Sequence, residues 1–139
     1  MIHIEPMRLD DYDEVMNLWR STKGITTDAS DSRQAIREYL VRNPGLSFVA
    51  RENKRIVGAV LGGHDGRRGL LNHLAVAPEF RAKGTGRRLA ESVLAALRQI
   101  GIPKCHLFVH ADNVDALAFW NSVGWSKRHD LEMFSKATG

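Results

Sequence analysis

The stretch Leu74-Ala75-Val76-Ala77-Pro78-Glu79-Phe80-Arg81-Ala82-Lys83-Gly84-Thr85-Gly86-Arg87-Arg88-Leu89 constrains the fold more than any other part of the chain. It starts as an apolar strand that Pro78 stops, and turns through two glycines among basic residues. It then opens a helix predicted from about Arg87 to Gln99, with Leu89, Val93, Leu94 and Leu97 on one stripe. Glycines let backbone N–H groups approach a ligand closely. The first turn of a helix adds unpaired N–H donors and the positive end of the dipole. Together they make a phosphate site, which Arg81, Lys83 and Arg87 would strengthen.

The other segments supply a sheet for this unit. Met1 to Met7 alternates as a short strand. Asp10 is positioned to cap a helix carrying Val15, Leu18 and Trp19, which Gly24 ends. Ser21 to Ser30 reads as a loop. Ser30 or Asp31 caps a second helix with Ala35, Ile36, Tyr39 and Leu40 at helical spacing, stopped by Asn43-Pro44-Gly45. Strands follow at Leu46 to Arg51, Ile56 to His64 and Leu70 to Ala77, separated by turns at 52–55 and 65–69, as an antiparallel meander. After the glycine-turn helix come a strand from Lys104 to His110, a helix capped by Asp112 or Asn113 through Val123, and an extended segment from Trp125 to Ser135. Gly124 is that helix's C-terminal cap. The expected order is β-α-α-β-β-β-α-β-α-β, an α/β (α+β) domain spanning 1–139 with a mixed, mostly antiparallel sheet flanked by helices.

The chain's 139 residues fit one domain. Its apolar runs are too short to span a bilayer, and no basic-then-apolar signal opens it, so no membrane partner is expected. The single cysteine, Cys105, excludes an internal disulfide framework and suits a reducing cytoplasm. Net charge is +4, unevenly placed. Residues 1–50 hold six basic against eight acidic side chains. Residues 67–88 hold Arg67, Arg68, Arg81, Lys83, Arg87 and Arg88 against Glu79 alone. That concentration suggests a local anion site, either for nucleic acid or for a phosphorylated cofactor.

The phosphate motifs separate cleanly. No P-loop string exists. A dinucleotide fingerprint fails because Leu89 replaces the third glycine and no ribose-binding acid follows at Lys104-Cys105. What remains is Arg81-x-x-Gly84-x-Gly86 between a strand and a helix. This resembles the cofactor motif of the GNAT superfamily of acyl-CoA-dependent N-acetyltransferases. Asn113-x-x-Ala116-x-x-Phe119-Trp120-x-x-x-Gly124-Trp125 resembles the family's second motif, and the element order matches over the whole chain.

The resemblance implies acetyl-CoA as co-substrate and an amine as acceptor. Its pyrophosphate would rest on the backbone of Arg81, Ala82, Lys83, Gly84, Thr85, Gly86 and Arg87. Leu74 and Val76 would pair with the pantetheine arm as an added strand. Asn113 would hydrogen-bond that arm, and Ala116, Phe119 and Trp120 would flank its sulfur end. The reaction implied is direct attack of a neutral amine on the thioester. A lysine-type amine has a pKa near ~10.4, so a base or water chain must take its proton. A backbone amide of Val76 or Ala75 would stabilise the oxyanion.

Two features depart from the usual pattern. Trp120 stands where many members carry Tyr, and an indole N–H is no acid at neutral pH. Tyr12 and Tyr39 do not match that motif position. The base is the second departure. Alternation puts Leu70, Asn72 and Leu74 on one face, and Leu71, His73 and Ala75 on the other. In the family the Asn72 face looks into the acceptor channel, where Asn72 could orient a water. A bulge, common in this strand of the family, could exchange the faces and bring His73 in as the base; without one, His73 reads as a packed or surface histidine.

Other clusters are less informative. His106 and His110 lie about 13 Å apart along a strand, too far for one zinc bound at ~2.1 Å. No metal site is expected. Cys105 reads as a small packed residue. Arg67 and Arg68 read as a solvated hairpin tip. Thr22 through Asp31, the loop between the first helices, would shape the acceptor site. An acetyltransferase is therefore expected, with a non-catalytic acyl-CoA-binding sensor as the alternative. Nucleic acid ranks last, because only Phe80 interleaves the basic cluster. Family members often form dimers, so a homodimer is among the implied partners.

Overall fold

The structure is a computed structural model describing residues 1–139. It divides into two compact parts, Met1–Phe108 and Val109–Gly139. The first part holds a five-stranded sheet in sequential order: β1 (Ile2–Pro6), β2 (Phe48–Glu52), β3 (Arg55–His64), β4 (Gly69–Val76) and β5 (Cys105–His106). Strands β1 to β4 pair antiparallel; β4 and β5 pair parallel. The expected mixed, mostly antiparallel sheet is therefore present.

Helices cover both faces of this sheet. On one side lie α1 (Tyr12–Arg20) and α2 (Arg33–Arg42). Their Val15, Met16, Trp19 and Ile36 pack with Val49, Ile56, Ala59, Leu61 and Ala75 of the strands. On the other lies α3 (Thr85–Gln99), which buries Leu89, Ala90, Val93 and Leu97. Gly62 shows why that helix sits so close. A Cβ there would fall 2.2 Å from the Leu46 carbonyl oxygen and 2.9 Å from Val93 Cγ1.

Element ends differ from the expectation where tertiary contacts recruit the capping residues. Asp10 does not cap α1: a single 3-10 turn, Leu9–Asp11, precedes that helix, and the Asp11 carboxylate instead holds Arg8 N and the Arg51 guanidinium. Ser32, not Ser30 or Asp31, caps α2, its Oγ accepting from Ala35 N at 3.1 Å. Asp31 is committed elsewhere. Helix α3 begins two residues earlier than expected, at Thr85, because Gly84 takes the left-handed N-cap conformation (φ 82).

The fifth strand is the main shortening. It was expected from Lys104 to His110 but pairs only at Cys105 and His106, while β4 runs on to Val76. Parallel pairing thus stops at Leu70, and the rest of that β4 edge has no backbone partner.

In the second part, Asn113 Oδ1 accepts from Ala116 N at 3.1 Å and caps α4 (Val114–Ser122). Gly124 (φ 94) turns the chain out of the helix. Residues 125–135 were expected to add a final strand, yet they form none. The alternating pattern there is weak, and β pairing needs a partner edge that sequence pattern cannot supply.

Candidate functional site

The irregularity of β4 shapes the candidate site. Ala59 pairs with Ala75 but Leu61 with Asn72, so β4 carries one extra residue opposite Val60. That is a β-bulge, with His73 at φ 54. Asn72 lies opposite Leu61, and Ala75 packs in the same α1–α2 core cluster as Leu61. The expected alternation therefore breaks. Ala75 joins the Asn72 face and Leu74 leaves it, because the extra residue resets the period of two.

The bulge also turns the His73 imidazole toward α1 and the loop before α2. Its Nε2 lies 2.9 Å from Asp31 Oδ1. Its ring meets Trp19 edge-on, with centroids 5.0 Å apart. Trp19 Nε1 donates to the His73 carbonyl at 2.8 Å. The His73 side chain keeps 22% exposure, against 6% for Asp31. Beside it, Asn72 approaches the Tyr39 hydroxyl of α2. That hydroxyl is buried without a geometrically sound hydrogen bond, and burial dominates over Asn72 in pushing its pKa up. From sequence, Trp19 reads as core, and Asp31 as a helix cap and as the last residue of the loop expected to shape the acceptor site; both meet His73 across more than 40 positions of chain.

At the far end of β4, Ala77 N donates to Val57 O at 2.8 Å, so Ala77 faces β3. Peptide direction alternates along a strand. Ala75 thus also faces β3, and the Leu74 and Val76 peptides face the unpaired edge. Arg81 confirms this direction for Val76: its Nε donates to the Val76 carbonyl at 2.8 Å. Of the two amides considered for an oxyanion, the Val76 amide is the one on the open edge.

The glycine turn follows. Ala82 (φ 58) and Gly84 (φ 82) are both left-handed, and Thr85 is buried at the start of α3. Space around Gly84 is open: an added Cβ would meet nothing within 4 Å. The free amides of the first α3 turn thus lie beyond the end of β4 with left-handed residues before them.

The basic residues are less uniformly available than their density suggests. Arg81 ties the turn to Val76. Arg87 Nε donates to Glu91 at 2.9 Å, and Lys83 lies 5.6 Å over the Phe80 ring. Arg88 donates to the Ile2 carbonyl at 3.3 Å. Arg67 and Arg68 give their backbone amides to Asp65 Oδ1, each at 2.8 Å, in the tip of the β3–β4 hairpin.

In Val109–Gly139, Trp120 stacks edge-on with Phe119 and with Trp125, at 4.9 and 5.1 Å between centroids. Asn113 uses its Oδ1 as a helix cap, and Ala116 supplies the amide that it holds. His106 belongs to β5, whereas His110 lies outside any strand, and no group of His, Cys, Asp and Glu is arranged to hold a metal ion. No helix is long and apolar enough to cross a membrane.

Comparison with known proteins agrees with this architecture. The chain is 37% identical over 122 residues to an acetyltransferase of Pectobacterium atrosepticum, covering 88% of this chain and 86% of the relative. Its fold matches a GNAT-family acetyltransferase from Staphylococcus aureus Mu50 with a TM-score of 0.82 at 21% identity, over 100% of this chain and 95% of that one. It also matches the PaiA N-acetyltransferase of Thermoplasma acidophilum, solved with coenzyme A, with a TM-score of 0.79 at 20% identity over 89% of each chain. Residues 12–125 match the acetyltransferase (GNAT) family itself, and the chain belongs to that family.

Proposed function

We propose that this chain, as one domain of 1–139, transfers an acetyl group from acetyl-CoA to a primary amine of a small molecule or of a protein or peptide. The observation that carries the reading is the open β4 edge running into the glycine turn, with His73 on the α1–α2 face of the same strand. The Leu74 peptide suits an extended amide-bearing arm, while at Val76 the carbonyl already accepts from Arg81 and only the amide is free. The amides from Ala82 to Arg87 suit a pyrophosphate. Asn113, Ala116, Phe119 and Trp120 come to this role by sequence resemblance alone. The coenzyme A in the Thermoplasma protein supports the same donor here. A cytoplasmic location, fitting the lone Cys105, is part of the proposal.

The chemistry needs four events. His73 takes a proton from the ammonium form of the acceptor, with Asn72 orienting a water beside it. The amine nitrogen forms a bond to the thioester carbonyl carbon. The Val76 amide donates to the oxygen as charge develops on it. The carbon–sulfur bond breaks as the nitrogen gives its second proton to water, and that water passes a proton on to the sulfur, since Trp120 has no acidic proton to give. The sum is ammonium plus acetyl-CoA giving amide, CoA thiol and one released proton.

A thiol-release screen over amino acids, polyamines, aminoglycosides and peptides tests this reading. Release above the rate of spontaneous hydrolysis with at least one amine is expected. If millimolar acetyl-CoA and CoA leave the melting temperature unmoved and no amine releases thiol, the reading fails. Binding without release across the panel would favour the acyl-CoA sensor that Trp120 suggests.

A further inference from the structure

We propose that Asp31 is the positioning residue of His73, fixing its tautomer so that Nδ1 is the nitrogen that accepts the acceptor's proton. The inference rests on the acetyltransferase reading above and adds to it a residue from the loop between α1 and α2.

Asp31 is unusually well held for a loop carboxylate. Its Oδ1 faces His73 Nε2 at 2.9 Å, and its Oδ2 accepts from Asp28 N at 3.2 Å. Its own carbonyl accepts from the Tyr12 hydroxyl at 2.7 Å. Asp31 closes a 3-10 turn, Ala29–Asp31, that Asp28 caps by accepting from Ser30 N and Ser30 Oγ. The carboxylate is buried, so rearranging it would mean unfolding the turn.

His73 is held with equal care and at a cost. A left-handed non-glycine residue in a strand is strained, and Gly or Asn would take that conformation more easily. Trp19 secures both the His73 carbonyl and the ring. The strained backbone turns the imidazole onto the carboxylate. Strain retained with a specific ring contact is characteristic of functional positions.

The consequence follows from imidazole chemistry. A carboxylate accepts only, so neutral His73 must carry its hydrogen on Nε2. The lone pair then lies on Nδ1, which makes no hydrogen bond within the protein. When Nδ1 takes a proton from the ammonium group, both ring nitrogens carry hydrogen and the positive charge lies beside Asp31. The arrangement follows the logic of a carboxylate-oriented histidine base, with the two nitrogens exchanged relative to the serine-protease pattern.

The groups facing His73 are few. Asp31 and Asp28 come from the loop, Asp31 touching the ring and Asp28 capping the turn that carries it. Helix α1 contributes the neutral Trp19 indole and, through the Asp31 carbonyl, the Tyr12 hydroxyl. Helix α2 contributes the Tyr39 phenol beside Asn72. Arg33 lies over the Tyr12 ring, 5.7 Å from its centroid, and Asp31 is the charged group in direct contact with the imidazole.

The test uses the full chain, labelled with nitrogen-15 in its histidine rings. In the wild type, the neutral His73 ring is expected as the Nε2–H tautomer. In Asp31→Asn, the ring should titrate at lower pH. With the best amine from the screen, Asp31→Asn should lower kcat at least about tenfold, part of the roughly 10²–10⁴-fold that a general base supplies. The acid limb of its pH profile should move down, with KM for acetyl-CoA held within about twofold. A wild-type Nδ1–H tautomer, or an unchanged titration and pH profile in a folded Asp31→Asn, overturns the proposal. The wild-type spectrum decides the pairing even if the variant fails to fold. Absence of thiol release by the wild type would instead sink the acetyltransferase reading, leaving the ring measurement to judge Asp31 separately.

Discussion

Trp19 and His73 are joined twice: the indole Nε1 donates to the His73 carbonyl at 2.8 Å, and the two rings meet edge-on at 5.0 Å. One residue of α1 thus secures both the backbone and the side chain of the β4 bulge. Trp19 is completely buried, so its single polar atom is committed to this bond.

Trp19→Phe removes that donor and leaves a strained carbonyl without its partner. A loss of about 2–4 kcal/mol is expected, combining the hydrogen bond with a partial cavity. Urea denaturation measures it. A loss below about 0.5 kcal/mol would mean that the bulge is stable without the indole.

Gly62 and Gly63 are adjacent but face opposite sides of β3, and their alanine variants should differ. At Gly62 the added Cβ meets the Leu46 backbone and the Val93 side chain, neither of which can move easily. At Gly63 it meets side chains only, the Tyr39 hydroxyl at 2.4 Å and Asn43 Cγ at 3.1 Å, with no backbone atom among them. Gly62→Ala should cost about 2–3 kcal/mol and Gly63→Ala clearly less. Equal costs in chemical denaturation would contradict the rigid contact at Gly62.

Ala82 adopts a left-handed conformation that glycine would take without steric cost. Ala82→Gly should therefore be neutral or stabilising by up to about 1 kcal/mol, in spite of its greater unfolded entropy. A thermal melt that falls by several degrees would show that the methyl group packs productively in the turn.

Joint substitution of Arg81 and Arg87 by glutamine tests the proposed phosphate site. CoA affinity should fall roughly tenfold or more, equivalent to about 1.4 kcal/mol, with a weaker salt dependence. The same change at Arg33 and Arg37 is the control. Arg33 lies over the Tyr12 ring and beside Asp13, away from the turn. Equal effects in calorimetry would return the basic cluster to an ordinary solvated surface.

Burial pushes the Cys105 thiol up to about 11. The folded chain therefore keeps the thiol proton after an unfolded one, at ~8.5, has lost it. This contribution to stability is full below the unfolded value and declines as pH rises toward the folded one. Alkylation by iodoacetamide should be slow at pH 8 and accelerate through pH 10–11. Rapid labelling of native protein at pH 8 would show that the thiol is not shielded. Slow reaction also means that a thiol-release assay reads CoA rather than Cys105.

Much of the fold was legible because its signals are local. The stripes of α1, α2 and α3, the glycine turn and the hairpin at Asp65-Gly66 each lie within a few turns of chain. Element ends were less legible, since Asp11 and Asp31 have the residue type of caps yet serve distant partners, Arg51 and His73. The length of β5 and the missing final strand depend on a neighbouring edge, which alternation cannot reveal.

The candidate site divides in the same way. The phosphate-type turn is written in local sequence, because glycine spacing and a helix start are short-range properties of the backbone. The family is legible in the same way, through motifs read in order along the chain. The face that His73 occupies is set by long-range packing. One extra residue in β4 reverses the side-chain pattern, and its placement is fixed by pairing with β3, by Trp19 from α1 and by Asp31 from the loop. Those contacts join positions 42 and 54 residues apart, beyond the reach of any local pattern.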